Sequence, residues 1–193
     1  MTLHSAVTIV LFSAGLALVP LQATAQSVII FGADPDALQC YGKANYAVDT
    51  DGTTPDELAS CTRALDGGQL STRDRAATHV NRGILSAVLE DYENAMRDYD
   101  AAMDLYPRYG AIYVNRGNIF FLGESYDSAI DEYTKALDAD MSEYQVPHLN
   151  RGMAYESLGL YADAEDDYRR ALEISPNWIL AQTKLARVLA RMN

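Results

Sequence analysis

The hydrophobic pattern divides the chain into an apolar leader followed by helix-spaced segments. Ala6 to Val19 is a run of apolar and small residues; Pro20 breaks it, and Ala23-Thr24-Ala25 follows as a small-x-small site before Gln26. That order predicts a secretory signal over residues 1–25, cleaved after Ala25. The run falls short of the ~20 apolar residues a membrane span needs. No Lys or Arg precedes it, and no Cys stands near the cleavage site to carry a lipid. Retention as an uncleaved anchor is the alternative. Beyond the leader no stretch is long and apolar enough to span a bilayer.

Laid on itself, the rest of the sequence repeats. Asn-Arg-Gly occurs at Asn81-Arg82-Gly83, Asn115-Arg116-Gly117 and Asn150-Arg151-Gly152, with the glycines 34 and 35 residues apart. At fixed offsets after them stand Tyr92, Tyr126 and Tyr161; Ala95, Ala129 and Ala164; Tyr99, Tyr133 and Tyr168; and Ala102, Ala136 and Ala171. Pro107 and Pro176 close the outer copies, and Met141 replaces proline in the middle one. Each copy reads as two antiparallel helices. The small residues mark where the helices approach closely, the tyrosine fills the wider end, and the proline ends one helix and opens the next.

This pattern resembles the tetratricopeptide repeat over about residues 76–178. The resemblance implies an all-α helical-hairpin solenoid with repeats at 76–109, 110–143 and 145–178. Residues 179–193 are expected as a capping helix, because Leu185, Val188 and Leu189 have helical spacing and the last repeat needs a solvating cap. Lys184, Arg187 and Arg191 fall on another face, near the helix C-terminus where cations suit the dipole.

Residues 26–75 are expected to hold a degenerate first hairpin, Asp36 to Val48 and Pro55 to Leu65, with the turn-rich segment 49–54 between them and a linker from Gly67 to Asp74. Cys61 stands where the packing tyrosine belongs, and Cys40 lies early on the partner helix. An even pair of cysteines in an exported chain predicts one disulfide, Cys40–Cys61, stapling this hairpin.

Composition narrows the function. The net charge is −12, and Lys43, Lys135 and Lys184 are the only lysines. Phosphate binding needs clustered cations, so nucleic acid is excluded as a partner. His4, His79 and His148 are far apart, with no metal-ligand spacing. No phosphate-binding glycine loop or nucleophile motif occurs, so no enzyme activity, metal or cofactor is expected.

The resemblance implies that the residue two before each glycine faces the concave groove. Some members, such as O-linked N-acetylglucosamine transferase, carry an asparagine ladder there. Asn81, Asn115 and Asn150 are therefore candidate clamps for peptide backbone, since a carboxamide both donates and accepts; the alternative is that they only bond neighbouring helices. Asn118, Phe121 and Met153 are candidate groove residues that vary between copies, as do Ile84, Ala87 and Glu156. Relatives that grip C-terminal carboxylates use Lys and Arg on this face; here the comparable positions hold Ala77, Val80, Ala111, Val114, Val146 and Leu149. Arg82, Arg116 and Arg151 are matched by Asp98, Glu132 and Asp167, fifteen residues after each glycine, which predicts an ion pair inside each hairpin.

The expected function is a periplasmic or secreted scaffold that grips an extended segment of another protein. A non-catalytic accessory subunit or inhibitor of an envelope enzyme, or a self-associating oligomerisation module, is the alternative.

Overall fold

The computed structural model describes residues 25–26, 28–30, 32–50, 52–67 and 69–193. Of the leader expected over residues 1–25, residues 1–24 lie outside them. Among the described residues no helix is long and apolar enough to cross a membrane.

Nine helices follow one another, with no named strand among the described residues: α1 (Pro35–Thr50), α2 (Leu58–Asp66), α3 (Thr72–Val88), α4 (Tyr92–Leu105), α5 (Gly110–Leu122), α6 (Tyr126–Leu137), α7 (Gln145–Ser157), α8 (Tyr161–Ile174) and α9 (Ile179–Met192). They pair as α1/α2, α3/α4, α5/α6 and α7/α8. The first helices of successive pairs also pack on one another, from α1 to α9. The chain is an all-α tetratricopeptide-repeat solenoid.

The close approach in each hairpin has a measurable cause. A Cβ built on Gly83 would lie 2.5 Å from the Tyr99 ring, one on Gly117 2.5 Å from Tyr133, and one on Gly152 2.8 Å from Tyr168. Those rings are at most 1% exposed. Burial this complete raises the pKa of each of the three phenols. The hydroxyl groups of Tyr133 and Tyr168 donate to Asn118 Oδ1 and Glu156 Oε2, each at 2.9 Å, so the polar end of each ring is satisfied.

The hairpin turns repeat as well. Seven residues after each glycine stand Glu90, Glu124 and Gly159, at φ 61°, 57° and 75°. Each turn closes with the same two backbone bonds, such as Glu124 N to Phe121 O and Ser125 N to Phe120 O. Only glycine adopts this left-handed conformation freely, so the first two copies carry strain that the third does not.

The first hairpin pairs α1 with α2, and α1 runs two residues past the expected Val48. Thr54 and Glu57 make a capping box on a 3-10 turn, Pro55–Glu57, that leads into α2 and opens on the proline. Cys40 and Cys61 are bonded, with Cα atoms 4.8 Å apart, and both are fully buried. The linker is shorter than expected. Ser71 accepts from Asp74 N at 3.1 Å and caps α3, so the helix starts at Thr72 and takes in Asp74.

Where Met141 replaces proline, the α6–α7 connection folds back on the preceding one. Asp140 N donates to Arg108 O, Gly110 N donates to Asp140 O, and the Met141 side chain lies where a Cβ on Gly110 would fall. The one-residue insertion in this copy is absorbed there.

Candidate functional site

Asn81, Asn115 and Asn150 lie on the first helices of the three repeats, α3, α5 and α7, and are almost wholly buried. Two of them hold backbone, and the backbone is the chain's own. Val28 N donates to Asn81 Oδ1 and Asn81 Nδ2 donates to Val28 O, both at 2.8 Å. Gln26 N donates to Asn115 Oδ1 at 3.1 Å, and Asn115 Nδ2 returns to Gln26 O at 3.0 Å. In an extended chain the N–H and C=O of one residue point to the same edge, and residues two apart share that edge. Gln26 and Val28 therefore meet successive rungs of the ladder, and the segment runs from the second repeat toward the first.

Side chains add to this grip. Val28 and Ile30 are 5% exposed and join the core of the first hairpin and first repeat, whereas Ile29 between them is 56% exposed. Each net hydrogen bond contributes about 1 kcal/mol and each buried aliphatic side chain about 1.5–3 kcal/mol, so the two aliphatic anchors and the four clasp bonds contribute comparably. A cavity of about 10 Å³ remains beside Ala25, bordered by Ile84, Ala87, Val88, Tyr99, Asn115 and Asn118.

The third rung differs. Asn150 Nδ2 donates to Asn118 Oδ1 at 2.9 Å, and no backbone segment is clasped there among the described residues. Asn118, expected only as a groove residue that varies between copies, thus bonds to the ladder. Met153 does not present itself to the groove: it is 5% exposed in the core of the last repeat and α9. Phe121 is half-buried, edge-on to Tyr126 with ring centres 5.4 Å apart. Glu156 is taken up by Tyr168 and by Arg187 of α9, 2.6 Å away. The positions that a carboxylate clamp would need as cations are buried packing residues.

Lys184 corrects the reading of α9. It is 9% exposed, while Arg187 and Arg191 on the same helix are exposed. Burial, with Arg187 nearby, lowers its ammonium pKa. The position was legible: Asn115 stands eight residues after Pro107, and Lys184 eight after Pro176, so Lys184 occupies the next rung. The docked segment had a weaker signal, the β-branched run Val28-Ile29-Ile30 just ahead of the first helix.

The predicted ion pairs are present. Arg82 meets Asp98 and Arg151 meets Asp167, each at 2.8 Å, and Arg116 lies 3.4 Å from Glu132. In the outer copies a histidine joins: His79 and His148 bond the same carboxylates at 2.8 Å. Burial alone would raise the Asp98 pKa, but hydrogen bonds from His79 and Arg82 outweigh it, and the net shift is downward. These clusters tie the two helices of a hairpin together and lie apart from the ladder. Among the described residues no group of His, Cys, Asp or Glu is arranged to hold a metal.

Comparison with known proteins agrees with this geometry. Residues 81–144 and 147–177 each match a family model described as tetratricopeptide repeat. The tetratricopeptide-repeat domain of Arabidopsis OM64 is similar over 61% of this chain and 97% of its own, at 24% identity and a TM-score of 0.56. The first such domain of Spaghetti (RPAP3), solved bound to the HSP90 peptide SRMEEVD, is similar over 62% and 94%, at 23% identity and a TM-score of 0.59. The N-terminal domain of stress-induced protein-1 from C. elegans is similar over 61% and 97%, at 20% identity and a TM-score of 0.55. No curated protein matches the sequence.

Proposed function

We propose that this protein is a non-catalytic interaction scaffold of the cell envelope whose asparagine ladder grips an extended segment of a partner protein. The observation that carries the reading is the double clasp of Asn81 and Asn115 on the backbone of Val28 and Gln26. A carboxamide that pairs with both the N–H and the C=O of a residue asks for extended backbone and is indifferent to side chain. Selectivity then falls to the walls. Beside Ala25 these are uncharged: Ile84, Ala87, Val88 and Tyr99. The similar domain solved with an HSP90 peptide supports a peptide as the class of ligand.

Export to the periplasm or beyond is part of the same proposal. It is supported by the apolar run Ala6 to Val19, the Ala23-Thr24-Ala25 site and a buried cysteine pair at bonding distance. Self-association is a second reading with an observation behind it, because a segment that docks on its own groove could dock on that of a second copy.

The test is capture of partners from envelope extract by the processed chain, followed by affinity measurement with Asn115→Ala in a Val28→Asp/Ile30→Asp chain, whose own segment no longer competes for the clasp. Loss of the clasp should weaken binding by about 1–3 kcal/mol while far-UV circular dichroism is unchanged. Unchanged affinity would move the interface off the ladder.

A further inference from the structure

The ladder holds two polar atoms that the protein leaves unused. Asn118 Oδ1 accepts from both Tyr133 Oη and Asn150 Nδ2, each at 2.9 Å. Asn118 Nδ2 and Asn150 Oδ1 have no hydrogen-bond partner, although their residues are 3% and 0% exposed. Buried polar groups are nearly always paired, so a donor and an acceptor left together are informative. Turning both carboxamides over would exchange the roles and still leave one donor and one acceptor. One donor and one acceptor are what a single residue of extended backbone requires, and what Asn81 and Asn115 already supply to Val28 and Gln26.

The position of the pair says which way the site faces. Asn118 borders the cavity beside Ala25, at the upstream end of the docked segment. Among the described residues the chain's own segment pairs with two rungs, and the donor and acceptor of the third, though buried, are left without a partner.

We propose that Asn118 and Asn150 are the entry point for the backbone of a foreign extended segment, which from there displaces Gln26 and Val28 of this chain from Asn115 and Asn81. The inference rests on the groove reading above. The partner it fits is an uncharged extended segment, small beside the cavity and aliphatic at alternate positions, the chemistry of Ala25, Val28 and Ile30. The four clasp bonds broken by one segment are remade by the other, while the docked segment keeps the advantage of being tethered. Two further bonds form only with the incomer, at atoms otherwise buried without partners. Each is worth about tenfold in affinity. The docked N-terminal segment therefore acts as an internal competitor that only a segment reaching the third rung overcomes.

The experiment uses the full processed chain and two labelled peptides, one with residues 22–31 of this sequence and one with residues 26–31. Fluorescence anisotropy should show the longer peptide binding at least tenfold tighter, and Asn150→Leu should erase the difference. Hydrogen exchange at the Val28 amide should accelerate when the longer peptide is bound. Equal affinities for the two peptides, a difference that survives Asn150→Leu, or a Val28 amide still protected in the complex each overturns the proposal. A Val28→Asp/Ile30→Asp double variant, checked for helix content by circular dichroism, separates this from failure of the groove reading. It should bind both peptides at least tenfold tighter than the parent does. If it binds both equally and Asn115→Ala weakens both, the groove stands and the entry point falls. If it binds neither, both readings fall.

Discussion

Two kinds of residue carry the repeat, and they constrain it differently. Gly117 is fixed by space, since an added Cβ would lie 2.5 Å from a ring that is 1% exposed and already donates to Asn118. The ring cannot swing away without breaking that bond. Gly117→Ala should therefore destabilise the protein by about 1–3 kcal/mol, although alanine favours a helix, and denaturant unfolding would show it. A stability gain would mean that the ring relocates at no cost. Asn115 is fixed by chemistry instead. It has room for other side chains of its size, but only a carboxamide both gives and takes a hydrogen bond with one residue of backbone.

Two devices at the scale of single elements invite substitution. The turn before α6 places Glu124 at φ 57°, where the third copy uses Gly159. Glu124→Gly should raise stability by up to about 1 kcal/mol, a shift of about 2–4 °C in melting temperature, by removing left-handed strain from a residue that carries a Cβ. The gain would be absent if the glycine's extra freedom in the unfolded chain cancelled it. The first hairpin has a different weakness. Its repeat pattern is worn away, with Cys61 where Tyr99, Tyr133 and Tyr168 stand in the others, and a disulfide spanning 21 residues takes the place of the aromatic. Cys61→Ser should lose ~3 kcal/mol by the chain-entropy argument. Thermal melts should show a lower midpoint, with helix content at low temperature unchanged. Two free thiols in the exported protein would remove the staple altogether.

Across the whole molecule, stability comes from stacking hairpins, and the buried Asp98 cluster makes that stack sensitive to acid. Asp98 faces His79 and Arg82, and Arg82 also reaches Thr62 of the first hairpin, so the cluster joins two neighbouring units. Its carboxyl titrates below the ordinary value of 3.8. A depressed carboxylate pKa contributes stability that is fully present above the unfolded value and is lost as pH falls through the folded one. Stability should hold at neutral pH and fall as the solution is acidified below about pH 4. Asp98→Asn should cost about 2–3 kcal/mol at pH 7, and that cost should shrink in acid, where the parent carboxyl is protonated too. A penalty independent of pH would show that the side chain acts through shape alone.

The sequence by itself determined the hairpins. A glycine, an aromatic and two alanines at constant offsets can be satisfied only by two helices packed closely, so Gly83, Tyr99 and their counterparts were legible without coordinates. So were the arginine–carboxylate pairs and the Cys40–Cys61 staple, because each is set by local helical geometry within one hairpin. What spacing could not reveal depends on which distant segments meet. Asn81 and Asn115 read as backbone clamps, but no offset announces that Val28 and Gln26 of the same chain fill them, a contact across 53 and 89 positions. Met153 looked like a groove residue until α9 packed over it, and Lys184 looked solvated until the same packing buried it on the ladder. Asn118 and Asn150 meet from different repeats, so the unused donor and acceptor between them exist only in the stacked molecule. Periodicity fixes what lies on one face of a helix; which other face comes to cover it is decided by the solenoid as a whole.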